Sequence, residues 1–178
     1  MEFNQARNTV LSELEQVFST IDPAQVEKMA DMICEADRVF VVGVGRVLLM
    51  MQAFEKRLNH LGIDSYYVGE INEPAITEND LLIVGSGSGE SVVPVAMVKA
   101  ASKYNPKIIH IGSNPHSSMT AYEDLFVRIP CSTKLNLPEE IKSAQIMSSL
   151  FEQSVLLLAD MTAMLIAARK NITDLHSL

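Results

Sequence analysis

The chain has 178 residues, 48% of them hydrophobic and 20% charged, which is enough for one domain with its own core. It carries 22 acidic against 14 basic residues, a net charge of −8, and no Lys/Arg stripe offsets that balance, so nucleic acid is excluded as a partner. Cys34 and Cys131 match no metal or redox spacing, and the four histidines (His60, His110, His116, His176) form no ligand pair at helical spacing, so no metal site is expected.

The first five residues lack the basic-then-apolar order of a signal peptide. The most apolar stretch, residues 155–168, is interrupted by Asp160 and falls short of the ~20 residues of a bilayer span, so no membrane partner and a cytoplasmic location are expected. Residues 4–18 set Val10, Leu11, Leu14, Val17 and Phe18 on one helical face. A second helix starts at Asp22-Pro23, where Asp caps free amides and Pro fits the first turn, and runs to about residue 36. Two helices ahead of any strand either clasp the domain or pack on a neighbouring subunit.

Residues 38–44 form a continuous apolar strand, as in a parallel sheet covered on both faces. It delivers Gly45 and Arg46 to the start of a long helix that ends near Gly62. Arg46, at a strand's carboxyl end and a helix's amino end, is placed to meet an anion, with a solvated surface Arg as the alternative. Residues 65–68 make a second strand, followed by a polar loop over residues 69–79.

The third strand, beginning at Leu81, runs into Gly85-Ser86-Gly87-Ser88-Gly89-Glu90-Ser91, and a helix begins near Ser91. Glycines let the backbone turn its amides inward, the helix start adds free donors, and Ser86, Ser88 and Ser91 add hydroxyls. No Lys follows the glycines as a Walker loop requires, and Glu90 stands where G-x-G-x-x-G needs its last glycine. A single phosphate on a small molecule fits this cup better than a nucleotide; a flexible loop that binds nothing is the competing reading.

Strand four covers residues 107–111 and delivers the polar turn Gly112-Ser113-Asn114-Pro115. Strand five covers residues 125–129 and stops at Pro130. After a loop over residues 131–140, a last helix is expected from about residue 143 to 169. Five strands alternating with helices indicate an α/β, doubly wound, five-stranded parallel sheet flanked by helices, preceded by a helical pair (residues 1–36) and forming one domain over residues 1–178. The last helix is apolar nearly all round, which implies cover from another subunit. Within it, Glu152 lies among Leu150, Phe151 and Val155, where lost solvation would raise its pKa toward that of a proton-transfer base. The alternative puts Glu152 on a solvated stripe with Ser148 and Ser149.

The pattern Val84 to Ser91, the turn Ser113-Asn114-Pro115-His116-Ser117 and the stretch Ser149-Leu150-Phe151-Glu152-Gln153 resemble the sugar isomerase (SIS) domain, a flavodoxin-like fold. Arg57-Leu58-Asn59-His60-Leu61-Gly62, Val68-Gly69-Glu70 with Pro74-Ala75-Ile76, and Ile129-Pro130 with Thr133-Lys134 narrow the resemblance to the 6-phospho-3-hexuloisomerases. The resemblance covers essentially the whole chain. It implies interconversion of D-arabino-hex-3-ulose 6-phosphate and fructose 6-phosphate without a cofactor, by a homo-oligomer, typically a tetramer. It makes Glu152 the base and His60 an assisting group that reaches a neighbouring subunit's site. Ser86, Ser88 and Ser91 become the phosphate donors, with Gly45, Arg46, Gly87 and Asn114 completing the binding set.

One departure stands out. The family pattern Gly-Arg-Ser-Gly reads Gly45-Arg46-Val47-Leu48 here, losing a hydroxyl whose hydrogen bond to a charged group contributes on the order of 1.5–3 kcal/mol. Ile146 and Ser148 likewise replace a family Pro and Gly. These changes leave open a non-catalytic sugar-phosphate sensor, or an isomerase of another phosphosugar.

Overall fold

The structure is a computed structural model that describes residues 1–174, so His176 lies outside the described residues. Five strands, β1 (Val39–Val42), β2 (Ser65–Tyr67), β3 (Leu81–Gly85), β4 (Lys107–Gly112) and β5 (Leu125–Arg128), form one sheet in the order β2-β1-β3-β4-β5. Every pairing is parallel. The order reverses between β1 and β3, and the crevice beyond their carboxyl ends is where open α/β sheets bind ligands.

Strand side chains alternate between two cores. Val39, Val41, Leu81, Ile83, Ile109, Ile111 and Val127 face one layer, while Phe40, Val42, Leu82, Val84 and Ile108 face the other. The first layer is covered by α1 (Phe3–Phe18), α2 (Pro23–Glu35), α3 (Arg46–His60) and α5 (Ser149–Arg169). The second is covered by α4 (Val92–Ala101), which ends in a 3₁₀ turn at Ser102–Tyr104, and by the loops after β2 and β4. The expected doubly wound sheet is therefore present, but its alternation is incomplete. The β2–β3 and β4–β5 connections hold no helix, because Gly69, Pro74 and Pro115 punctuate them with turns.

α2 begins as its sequence dictates: the Asp22 carboxylate accepts the Ala24 amide at 2.9 Å, with Pro23 in the first turn. The last helix differs from expectation at its start. α5 begins at Ser149 rather than near residue 143, and Met147 adopts a left-handed φ of 54° just before it. Glu13 of α1 explains this. Its carboxylate accepts the Ser143 hydroxyl at 2.7 Å, the Ala144 amide at 2.8 Å and the Gln145 side chain at 2.9 Å, holding the segment out of helix.

The cover over α5 also comes from within the chain. α1, α2 and α3 pack along it, and Arg169 at its end pairs with Glu27 and Asp31 of α2. α5 is long and apolar enough by composition to cross a membrane, yet most of it is buried inside this fold, with Met161 and Met164 left exposed. The two opening helices thus clasp the domain.

Burial of the Glu13 carboxyl acts to raise its pKa, but the Ala144 amide and the Ser143 and Gln145 side chains bind the charged form and hold it below the ordinary carboxylate value. A lowered folded-state pKa gives stabilisation that is present above the unfolded value and fades as pH falls through the folded one. Glu13→Gln is therefore expected to cost about 1.5–3 kcal/mol at neutral pH in urea denaturation, with the gap to wild type closing below about pH 4.

Candidate active site

At the carboxyl edge of the sheet, a hollow of about 280 Å³ opens between the β1–α3 turn, the β3–α4 loop and the first turn of α5. That is near the lower end of small-molecule clefts, roughly 300 Å³. Its lining brings together Gly45, Arg46, Ser86, Gly87, Ser88, Ser91 and Glu152.

The β3–α4 loop owes its shape to what binds its carbonyls. Ser86 C=O accepts from the Gly89 amide at 3.2 Å and faces His110 Nε2 at 2.9 Å. Gly87 C=O accepts the Ser113 amide at 2.8 Å and the Asn114 amide at 3.2 Å, and Ser88 C=O accepts Asn114 Nδ2 at 3.1 Å. All three carbonyls are drawn back toward the end of β4. A trans peptide points its N–H opposite to its C=O, so the Gly87 and Ser88 amides turn toward the hollow. Ser91 caps α4 without spending its side chain on the helix. Ser88 Oγ accepts the Glu90 amide at 3.2 Å and keeps its own proton to donate.

Ser86 supplies the sharpest signal. The residue is 3% exposed, yet its hydroxyl has no hydrogen-bond partner among the described residues. Buried polar groups are almost always satisfied, so this unpaired hydroxyl, on a residue that lines a ligand-sized hollow, is a donor with its bond still to make.

Arg46 opens α3 after Gly45, whose φ of 60° and ψ of −136° favour glycine. Its Nη1 donates to Glu152 Oε2 at 2.8 Å and to Ser149 Oγ at 3.0 Å. Glu152 is 8% exposed, so the solvated-stripe alternative fails. Its desolvation is met by this guanidinium, the counter-charge that a buried carboxylate needs.

Two expected site residues lie elsewhere. Asn114 does not line the hollow; it braces the loop from behind through Ser88 and accepts the His116 amide at 3.0 Å. His60 ends α3, a 15-residue helix that Arg46 begins, so about 21 Å of helical rise separates the two. There it meets Arg57 Nη1 at 3.3 Å. Glu90 ties the loop to the turn after β4 by accepting the Ser118 amide and hydroxyl, each at 2.7 Å. Those bonds, the hydroxyl's foremost, hold its carboxyl below the ordinary value.

The sequence reading gave no role to Lys134, yet Ser132, Thr133 and Lys134 form one wall. With Arg46 engaged by Glu152, Lys134 supplies the hollow's other cation. Its only sequence signal was the Thr133-Lys134 match. Val47, the residue in place of a hydroxyl, also lines the hollow while packing on the core.

The SIS domain matches residues 32–162. The chain belongs to the SIS-domain family. This SIS domain is 34% identical over 163 residues to a 3-hexulose-6-phosphate isomerase of Bacillus subtilis, covering 92% of this chain and 88% of that one. It is 36% identical over 144 residues to a 3-hexulose-6-phosphate isomerase of Mycobacterium gastri, covering 81% and 72%. A crystal structure of a hypothetical protein from Methanococcus jannaschii, for which a 3-hexulose-6-phosphate isomerase function was inferred, superposes with a TM-score of 0.80 at 29% identity, covering 96% and 93%.

Because the Ser86 hydroxyl has no partner to lose, Ser86→Ala should leave urea stability within about 1 kcal/mol of wild type. The same substitution should weaken sugar-phosphate binding about ten- to hundredfold by calorimetry, the cost of one hydrogen bond to a charged group.

Proposed function

We propose that this SIS domain is a sugar-phosphate isomerase that interconverts D-arabino-hex-3-ulose 6-phosphate and fructose 6-phosphate through an enediol, with Glu152 as the base. The observation that carries this reading is the orphaned Ser86 hydroxyl in the same hollow as a buried carboxylate. The names of its relatives support the substrate.

The phosphate would lie against the Gly87 and Ser88 amides and the Ser86, Ser88 and Ser91 hydroxyls, with Lys134 adding positive charge. Glu152 takes the proton from C2 of the 3-ketose while the C3 carbonyl oxygen gains one. The resulting 2,3-enediol loses its C2 hydroxyl proton as C2 becomes the carbonyl, and Glu152 returns its proton to C3. Arg46 lies on Glu152 before substrate enters; moving onto the enediolate oxygens, it would release the carboxylate and stabilise the developing charge. His60 enters this scheme only from a second subunit, since its own hollow lies at the other end of α3. A homo-oligomer, a tetramer as in the hexuloisomerases, would supply it.

The Val47 lining favours a second reading, a sensor that binds the sugar phosphate without turning it over. Assay of 3-hexulose 6-phosphate conversion by the purified protein separates the two: turnover supports the isomerase, and tight binding without turnover supports the sensor. Under the isomerase reading, Glu152→Gln should lower kcat about 10²- to 10⁴-fold while fructose 6-phosphate still binds. Full turnover by that variant would remove Glu152 from the mechanism.

A further inference from the structure

His110 sits in the middle of β4, wholly buried, directly behind the phosphate loop. Its Nε2 is 2.9 Å from the Ser86 carbonyl oxygen, and its Nδ1 is 2.9 Å from a Glu123 carboxylate oxygen. The Glu123 side chain is itself only 8% exposed. The ring therefore stands between the two, with Nε2 placed to donate to the loop carbonyl and Nδ1 placed to share one proton with the Glu123 carboxyl.

The surrounding residues are fitted to this arrangement. A Cβ on Gly112 would stand 2.5 Å from His110 Nε2 and 2.7 Å from the Ser86 carbonyl oxygen, so only glycine leaves room for the bond. The Phe126 ring lies against the imidazole, with centroids 5.1 Å apart. A strand histidine with a buried carboxylate behind it, an excluded side chain beside it and a loop carbonyl in front is far more constrained than packing alone requires.

We propose that His110, oriented by Glu123, is a positioning residue for phosphate binding. By drawing back the Ser86 carbonyl it fixes the Ser86–Gly87 peptide, so that the Gly87 amide and the Ser86 hydroxyl face the ligand. The Glu123 carboxyl behind the ring polarises the imidazole and strengthens this bond. His110 touches no substrate and acts only through the loop. The inference rests on the reading of the hollow as a phosphate site.

The test compares wild type, His110→Ala and Glu123→Gln, with fructose 6-phosphate as the ligand. Calorimetric Kd, and KM where there is turnover, should rise about tenfold in His110→Ala and by a smaller factor in Glu123→Gln, with kcat changing less than KM. In wild type, ¹⁵N-edited NMR should show a slowly exchanging Nε2 proton for His110, and the proton shared with the carboxyl at Nδ1 should shift in Glu123→Gln. The NMR arm holds even where His110→Ala fails to fold. A ring with no proton on Nε2, or folded variants that lose stability but bind as wild type does, would overturn this inference alone. Wild type that binds no fructose 6-phosphate would overturn the functional reading and this inference with it.

Discussion

Three consecutive carbonyls, those of Ser86, Gly87 and Ser88, are turned away from the hollow by donors at the end of β4. That constraint makes the site. Glycines permit many loop shapes, and an unrestrained Gly/Ser run would spend its amides on water. Once the carbonyls are held from behind, peptide planarity turns the Gly87 and Ser88 amides forward, while the Gly89 amide closes the loop on the Ser86 carbonyl. The serine hydroxyls and the start of α4 then add to a cup that is organised before any ligand arrives, which is how preorganised donors stabilise charge at little cost of reorientation.

The opposite wall depends on the far end of the chain's architecture. Glu152 lies on the first turn of α5, and the residues leading into that turn are held by Glu13 in α1. The helical pair at the N-terminus therefore contributes more than cover for apolar surface. It sets where α5 begins, and so where the carboxylate and its Arg46 partner stand relative to the loop. Sequence segments more than a hundred residues apart jointly fix one ion pair.

Much of the fold could be read from the chain because its signals are local. The apolar runs feeding glycine turns marked β1 and β3, Asp22-Pro23 marked the start of α2, and the Gly/Ser loop lines the candidate hollow. What escaped notice depended on distant partners. Residues 143–148 have helical composition, but three bonds to Glu13 hold residues 143–145 out of helix, and the chain turns through residues 145–148 before α5. Part of the cover over α5 comes from α1 and α2, more than a hundred residues away, which nothing local in its apolar surface announces. His110 read as one member of a strand, since the significance of its ring comes from Glu123 and Ser86, neither of which a strand pattern predicts. Asn114 was rightly placed at a strand's carboxyl end, yet its amide supports the loop rather than facing the hollow. Lys134 sits in a stretch with no periodicity to interpret.

The most direct test of the account is a crystal structure with fructose 6-phosphate bound. Phosphate oxygens are expected about 2.7–3.2 Å from the Ser86, Ser88 and Ser91 hydroxyls, with the Glu152 carboxylate over C2 and C3. A phosphate lodged elsewhere, for instance in the larger hollow of about 380 Å³ at the opposite edge of the sheet between Lys28 and Lys107, would contradict it.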